Sequence, residues 1–90
     1  MGARIRLHPL MQELADNQEI VEVEGKNVGE CLTDLIQKFP GLSESLFDQR
    51  GKLFKYIEIF VNGKTAFPNE LATVVTDVDE ISILILLAGG

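Results

Sequence analysis

Apolar and polar positions recur along the chain with two periods, and these divide it into elements. Residues 4–8 alternate as Arg-Ile-Arg-Leu-His, the pattern of a half-buried strand. Ile5 and Leu7 face a core, and Arg4, Arg6 and His8 face outward. Pro9 ends this strand or marks it as an edge. Residues 10–17 read as a loop with room for a helical turn, and residues 19–24 as a second strand with Val21 and Val23 on one face. Over residues 27–39 the period becomes helical, with Val28, Leu32, Leu35 and Phe39 in one stripe. Asn27 suits the N-cap, Glu30 stands three residues on as in a capping box, and Pro40-Gly41 ends the helix. Residues 42–47 fit one more helical turn, and residues 48–52, polar and containing Gly51, a loop.

Residues 56–61 form a third strand, with Ile57, Ile59 and Val61 on one face and Tyr56, Glu58 and Phe60 on the other. Asn62-Gly63 signals a tight turn. Residues 64–79 are irregular, with room for a short strand. Residues 80–86 form the last strand, in which Ile81, Ile83 and Ile85 alternate with Ser82, Leu84 and Leu86. One main helix and four to five strands predict an α+β domain spanning residues 1–90, with the helix packed on one face of a mixed sheet. The other face is left for water or a partner.

Composition narrows the function. The 14 acidic and 8 basic residues give a net charge of −6, which argues against nucleic-acid binding and favours a partner with a basic surface. One cysteine, Cys31, and one histidine allow neither an intramolecular disulfide nor a zinc cluster, so no metal is expected and a reducing cytoplasm fits. The first residues lack the apolar core of a signal peptide, and the longest apolar run, residues 83–88, is far too short to span a membrane. There is no GxxxxGK[ST] or GxGxxG loop and no nucleophile–base motif, so neither a bound cofactor nor intrinsic turnover is expected.

The last residues carry the sharpest chemical signal. Gly89 and Gly90 have no β-carbon, cannot pack into a core and lose much entropy if ordered. They make a slim tail, from about residue 87, ending in an unhindered carboxylate. Such a tail suits threading into another protein's active site.

Five segments, in order, bear a resemblance to a known family. They are Val28-Gly29-Glu30, Phe39-Pro40-Gly41-Leu42, Phe60-Val61-Asn62-Gly63, Thr76-Asp77-Val78-Asp79-Glu80-Ile81-Ser82-Ile83 and Ala88-Gly89-Gly90. Together the chain resembles the ubiquitin-like sulfur carriers of the MoaD/ThiS family, and within it the branch of molybdopterin synthase small subunits. The resemblance implies a β-grasp fold with the last strand between the first and the third. It implies that an E1-like adenylyltransferase, using ATP and Mg, adenylates the Gly90 carboxylate. A persulfide then supplies sulfur, and the resulting thiocarboxylate is the donor, with Gly89 giving slim access. The implied acceptor is the large subunit of molybdopterin synthase, and the implied partner-binding residues are His8, Phe60 and Leu84. Leu86 joins them through outward parity, which predicts one apolar patch of Leu84, Leu86 and Phe60 beside the tail. Alternatives are another acceptor (thiazole, cysteine, a siderophore-like metabolite or tRNA), a protein modifier joined through Gly90 to a lysine, or an interaction module whose tail does no chemistry. Two departures stand out. Val78 replaces the family's usual glycine, which predicts a reshaped turn before the last strand. Ile85-Leu86-Leu87 lacks the prolines often found there, which predicts a longer strand or a stickier tail.

Overall fold

A computed structural model describes residues 2–86 of the chain. The alternating segments pair into one sheet of five strands: β1 (Arg4–Arg6), β2 (Ile20–Glu22), β3 (Ile57–Val61), β4 (Lys64–Thr65) and β5 (Glu80–Ile85). Their spatial order is β2-β1-β5-β3-β4. The first and last strands are parallel neighbours, with Ile5 opposite Ile81, and every other pair is antiparallel. The last strand therefore lies between the first and the third, as the resemblance implies.

The helical period produces α2 (Val28–Lys38), the main helix. Its Val28, Cys31, Leu32 and Leu35 are fully buried in one core cluster with Ile5, Ile59, Ile81 and Ile83 of the sheet. Each such aliphatic side chain contributes about 1.5–3 kcal/mol by leaving water. The cap predicted for this helix forms: the Glu30 N–H donates to Asn27 Oδ1 at 2.8 Å. The return bond differs in detail, because Glu30 Oε1 accepts from the N–H of Lys26, one residue before the cap, at 2.8 Å. The predicted extra turn is α3 (Leu42–Leu46), which buries Leu42 and Leu46.

The first strand is shorter than its alternation predicts. Leu7 still donates its N–H to the Glu19 carbonyl at 2.8 Å. Pro9, however, occupies the first position of a short helix, α1 (Pro9–Gln12), where its fixed φ is already helical and no N–H is needed. A 3₁₀ turn at Glu13–Ala15 continues it. His8 is thus not an outward strand residue but the N-cap of α1. Period-two reading cannot register this, because a proline at a helix start and one at a strand end look alike in sequence.

Asn62 and Gly63 have φ of 52° and 84°, the left-handed pair demanded by a two-residue hairpin turn. This turn leads into β4, the short strand for which residues 64–79 had room. The turn of residues 76–79 is closed by the Asp79 N–H to the Thr76 carbonyl at 3.1 Å, and by the Thr76 N–H to Asp79 Oδ2 at 2.8 Å. Val78 is not among the residues with positive φ. The turn is therefore built without the left-handed residue that glycine would permit, and the exposed β-branched side chain is accommodated. β5 ends at Ile85, yet pairing reaches Leu86, whose N–H donates to the Tyr56 carbonyl at 2.7 Å. Leu87, Ala88, Gly89 and Gly90 lie outside the described residues.

Candidate docking face

The helices cover one face of the sheet, and the register decides what the other presents. Arg6 lies opposite Ser82, Ser82 opposite Phe60, and Phe60 opposite Thr65. One step along, Glu58 faces Leu84. Leu84 is 42% exposed and Leu86 55%, whereas Ile81 and Ile83 are buried and Ile85 is partly buried against the core. The predicted inward and outward parity of β5 therefore holds.

Three of the four residues expected to bind a partner come together. His8, Phe60 and Leu84 line one shallow hollow of about 360 Å³ with Leu7 and Ile83, and Arg6 and Glu19 supply its charged edge. Leu86 does not line this hollow. It borders a separate groove of about 970 Å³, with Phe54, Ile57, Phe67 and Leu71. The right-handed twist of a sheet turns successive positions of one strand away from each other, so outward parity does not guarantee a shared patch.

The sequence reading missed how the polar edge is built. Arg6 Nε donates to Glu80 Oε2 at 3.1 Å, and Arg6 Nη1 donates to Glu19 Oε2 at 2.5 Å. The hydrogen bond to Glu80 and its charge, followed by Glu19, push the Arg6 guanidinium further above its usual range. Arg6 is thereby held at the hollow by two carboxylates from different parts of the chain. Ile20 was missed too. It lies opposite Arg6 on β2 and is partly exposed on the same open face. The signal was present, since Ile20 is out of phase with Val21 and Val23 facing the core.

The only thiol plays no part in this surface. Cys31 is fully buried in α2, and burial, then Asp34, Glu30 and Glu24, push its thiol above the ordinary range. A buried neutral thiol is a poor nucleophile, which disfavours Cys31 as the sulfur-bearing group. Among the described residues no group of three or more His, Cys, Asp or Glu side chains comes together to hold a metal ion. No helix among them is long and apolar enough to cross a membrane.

The model of the ThiS family matches residues 6–90. The chain belongs to the ThiS family. A sulfur carrier protein, CysO of Mycobacterium tuberculosis, is 31% identical over 93 residues, covering 100% of both chains. The crystal structure of the BexX/CysO complex of Amycolatopsis orientalis contains a chain with TM-score 0.87 and 26% identity, covering 98% of this chain and 99% of that one. The solution structure of the small archaeal modifier protein 1 of Methanosarcina acetivorans aligns with TM-score 0.83 and 28% identity, covering 99% of this chain and 96% of that one. The fold is β-grasp and ubiquitin-like, and this ThiS-family chain is a sulfur carrier rather than a catalytic enzyme. In the Amycolatopsis orientalis structure the CysO chain is in complex with BexX.

Proposed function

We propose that this ThiS-family carrier holds sulfur as a thiocarboxylate on Gly90. A carboxylate ordinarily ionises near pH 3.3–3.7 and is a poor electrophile at neutral pH, so it must first be activated. An E1-like adenylyltransferase transfers AMP from ATP-Mg to the Gly90 carboxylate, releasing pyrophosphate. The terminal sulfur of a partner's persulfide displaces AMP to form an acyl disulfide. A second thiol of that partner attacks the partner's own sulfur in it, releasing the Gly90 thiocarboxylate and leaving a disulfide on the partner. Gly89 keeps the approach narrow. The carrier binds neither ATP nor Mg itself. It docks through His8, Phe60, Leu84 and Leu86 and works in the cytoplasm. The observation that carries this reading is the full-length likeness to a sulfur carrier in a chain that ends in Gly89-Gly90.

The same likeness, to a carrier named CysO, favours the cysteine acceptor over the large subunit of molybdopterin synthase. A second reading, a modifier joined to lysine through Gly90, is favoured by the likeness to small archaeal modifier protein 1. Mass spectrometry of the protein isolated from its own cells separates these. The sulfur reading expects a form in which one terminal oxygen is replaced by sulfur, absent when Gly89 and Gly90 are deleted. Lysine-linked conjugates alone, under conditions that preserve thiocarboxylates, would overturn it in favour of the modifier. Sulfur delivered in vitro to a pterin precursor rather than to a cysteine precursor would restore the molybdopterin acceptor.

A further inference from the structure

His8 caps α1 with its imidazole. Its Nδ1 accepts the Leu10 N–H at 3.1 Å, and its carbonyl accepts the Met11 N–H at 2.8 Å. The cap residue has extended backbone angles, φ −60° and ψ 144°, and Pro9 follows at the first helical position. The side chains usual at this place are Ser, Thr, Asp and Asn, which accept a hydrogen bond throughout the neutral range. An imidazole differs. It accepts through Nδ1 only while that nitrogen is unprotonated, and it is the side-chain type that ordinarily changes charge between pH 5 and 8.

The same ring lines the hollow of the open sheet face. The charged groups that line it with His8 are Arg6 of β1 and Glu19 ahead of β2. β3 and β5 contribute Phe60, Ser82 and Leu84, and α1 contributes Pro9 and Gln12, none of which titrates. Glu19 is already engaged by Arg6, which also binds Glu80.

From this geometry we infer that His8 is a proton-sensitive cap at the rim of the open face. Neutral, with its proton on Nε2, the ring closes the first turn of α1 and presents an uncharged edge to the hollow. Protonated, both ring nitrogens are donors, the bond from the Leu10 N–H is lost, and a positive charge stands beside Arg6. The loosening is confined to that first turn. Gln12 remains tied to the Leu7 carbonyl through its side-chain nitrogen at 3.2 Å, and Met11 and Ala15 stay anchored in the core. Acid thus changes both the shape and the charge of the rim without unfolding the domain.

NMR on the full chain between pH 8 and pH 5 tests this directly. At pH 8 the ring nitrogen shifts of His8 should report the Nε2–H tautomer. On acidification the Leu10 amide should move with the same midpoint as the His8 ring and lose about fivefold of its exchange protection, the usual worth of a side-chain cap. His8→Asn retains an acceptor at the cap and carries no titrating proton. In that variant the Leu10 amide should stay protected and in place down to pH 5. An Nδ1–H tautomer at pH 8, or a Leu10 amide that shifts equally in wild type and His8→Asn, overturns the inference. Both readouts use the carrier alone, so neither depends on the identity of its sulfur acceptor.

Discussion

Asn62 grips Asp79 across 17 positions of the chain, its side-chain nitrogen donating to Asp79 Oδ1 at 2.8 Å. The Asn62 side-chain oxygen accepts the Glu80 N–H at 2.9 Å, and its backbone N–H donates to the Glu80 carbonyl at 2.8 Å. The turn after β3 is thus locked to the entry of β5. That lock matters because β5 carries Leu84 outward and Ile83 inward. A slip of one residue would exchange the two faces.

Asn62→Ala should lower the melting temperature by several degrees. It leaves a β-carbon at φ 52° without the polar side chain that makes Asn tolerant of the left-handed region, and it removes both side-chain hydrogen bonds. Asn62→Gly keeps the turn conformation and loses only the hydrogen bonds, so it should fall between Ala and wild type. Thermal unfolding followed by circular dichroism ranks the three. Equal melting temperatures for Ala and wild type would show that the lock contributes nothing to stability.

Acid should destabilise the fold from the aspartate range downward. The bond from Asn62, then the Thr76 N–H, hold the Asp79 carboxyl below its usual range. The bond from Lys38, then the Glu24 N–H, do the same for Asp34. Depressed folded values mean that the contribution is fully present above the unfolded aspartate range, near pH 3.9, and disappears as pH falls through the folded values. Urea midpoints measured from pH 7 to pH 2 should fall over that lower window. Asp79→Asn, which keeps an oxygen to accept from Asn62, should flatten part of the slope.

Leu84 and its cross-strand neighbour Glu58 allow docking to be separated from stability. Leu84→Glu sets two like charges opposite each other and should cost roughly 0.2–1 kcal/mol. Leu84→Lys faces Glu58 with the opposite charge and should leave stability unchanged or slightly raised. Both should weaken binding to the proposed activating enzyme. Ile83→Ala, one residue away in the core, should cost about 2–5 kcal/mol. Calorimetric titration beside urea unfolding reads both quantities. Undiminished binding by Leu84→Lys would remove Leu84 from the docking face.

Cys31 should resist alkylation in the folded protein and react at the rate at which the core opens. Its burial and raised thiol both keep the thiolate scarce. Timed iodoacetamide labelling followed by intact mass checks this. Rapid labelling under native conditions would contradict the packing of α2.

Much of this architecture is written locally. The alternation of Ile57-Glu58-Ile59-Phe60 and of Ile81-Ser82-Ile83-Leu84 set the strand faces. The stripe from Val28 to Leu35 set the buried side of α2, and Asn27 with Glu30 marked its start. Each follows from the period of a single element, which a chain carries in its own neighbours. The five matched segments likewise carried the resemblance to the sulfur carriers before any fold was known. Tertiary structure alone decided the rest. Alternation carried β1 through His8, but Pro9 started a helix and turned His8 into a cap. Outward parity grouped Leu86 with Leu84, whereas the sheet placed them on different hollows. Arg6 gave no sign that Glu19 and Glu80 would hold it, nor Asn62 that Asp79 would, because those partners meet only through strand order and register. Sequence determined which way each residue faces, and packing determined which residues face each other. A period is a property of one segment, whereas a contact needs two segments brought together.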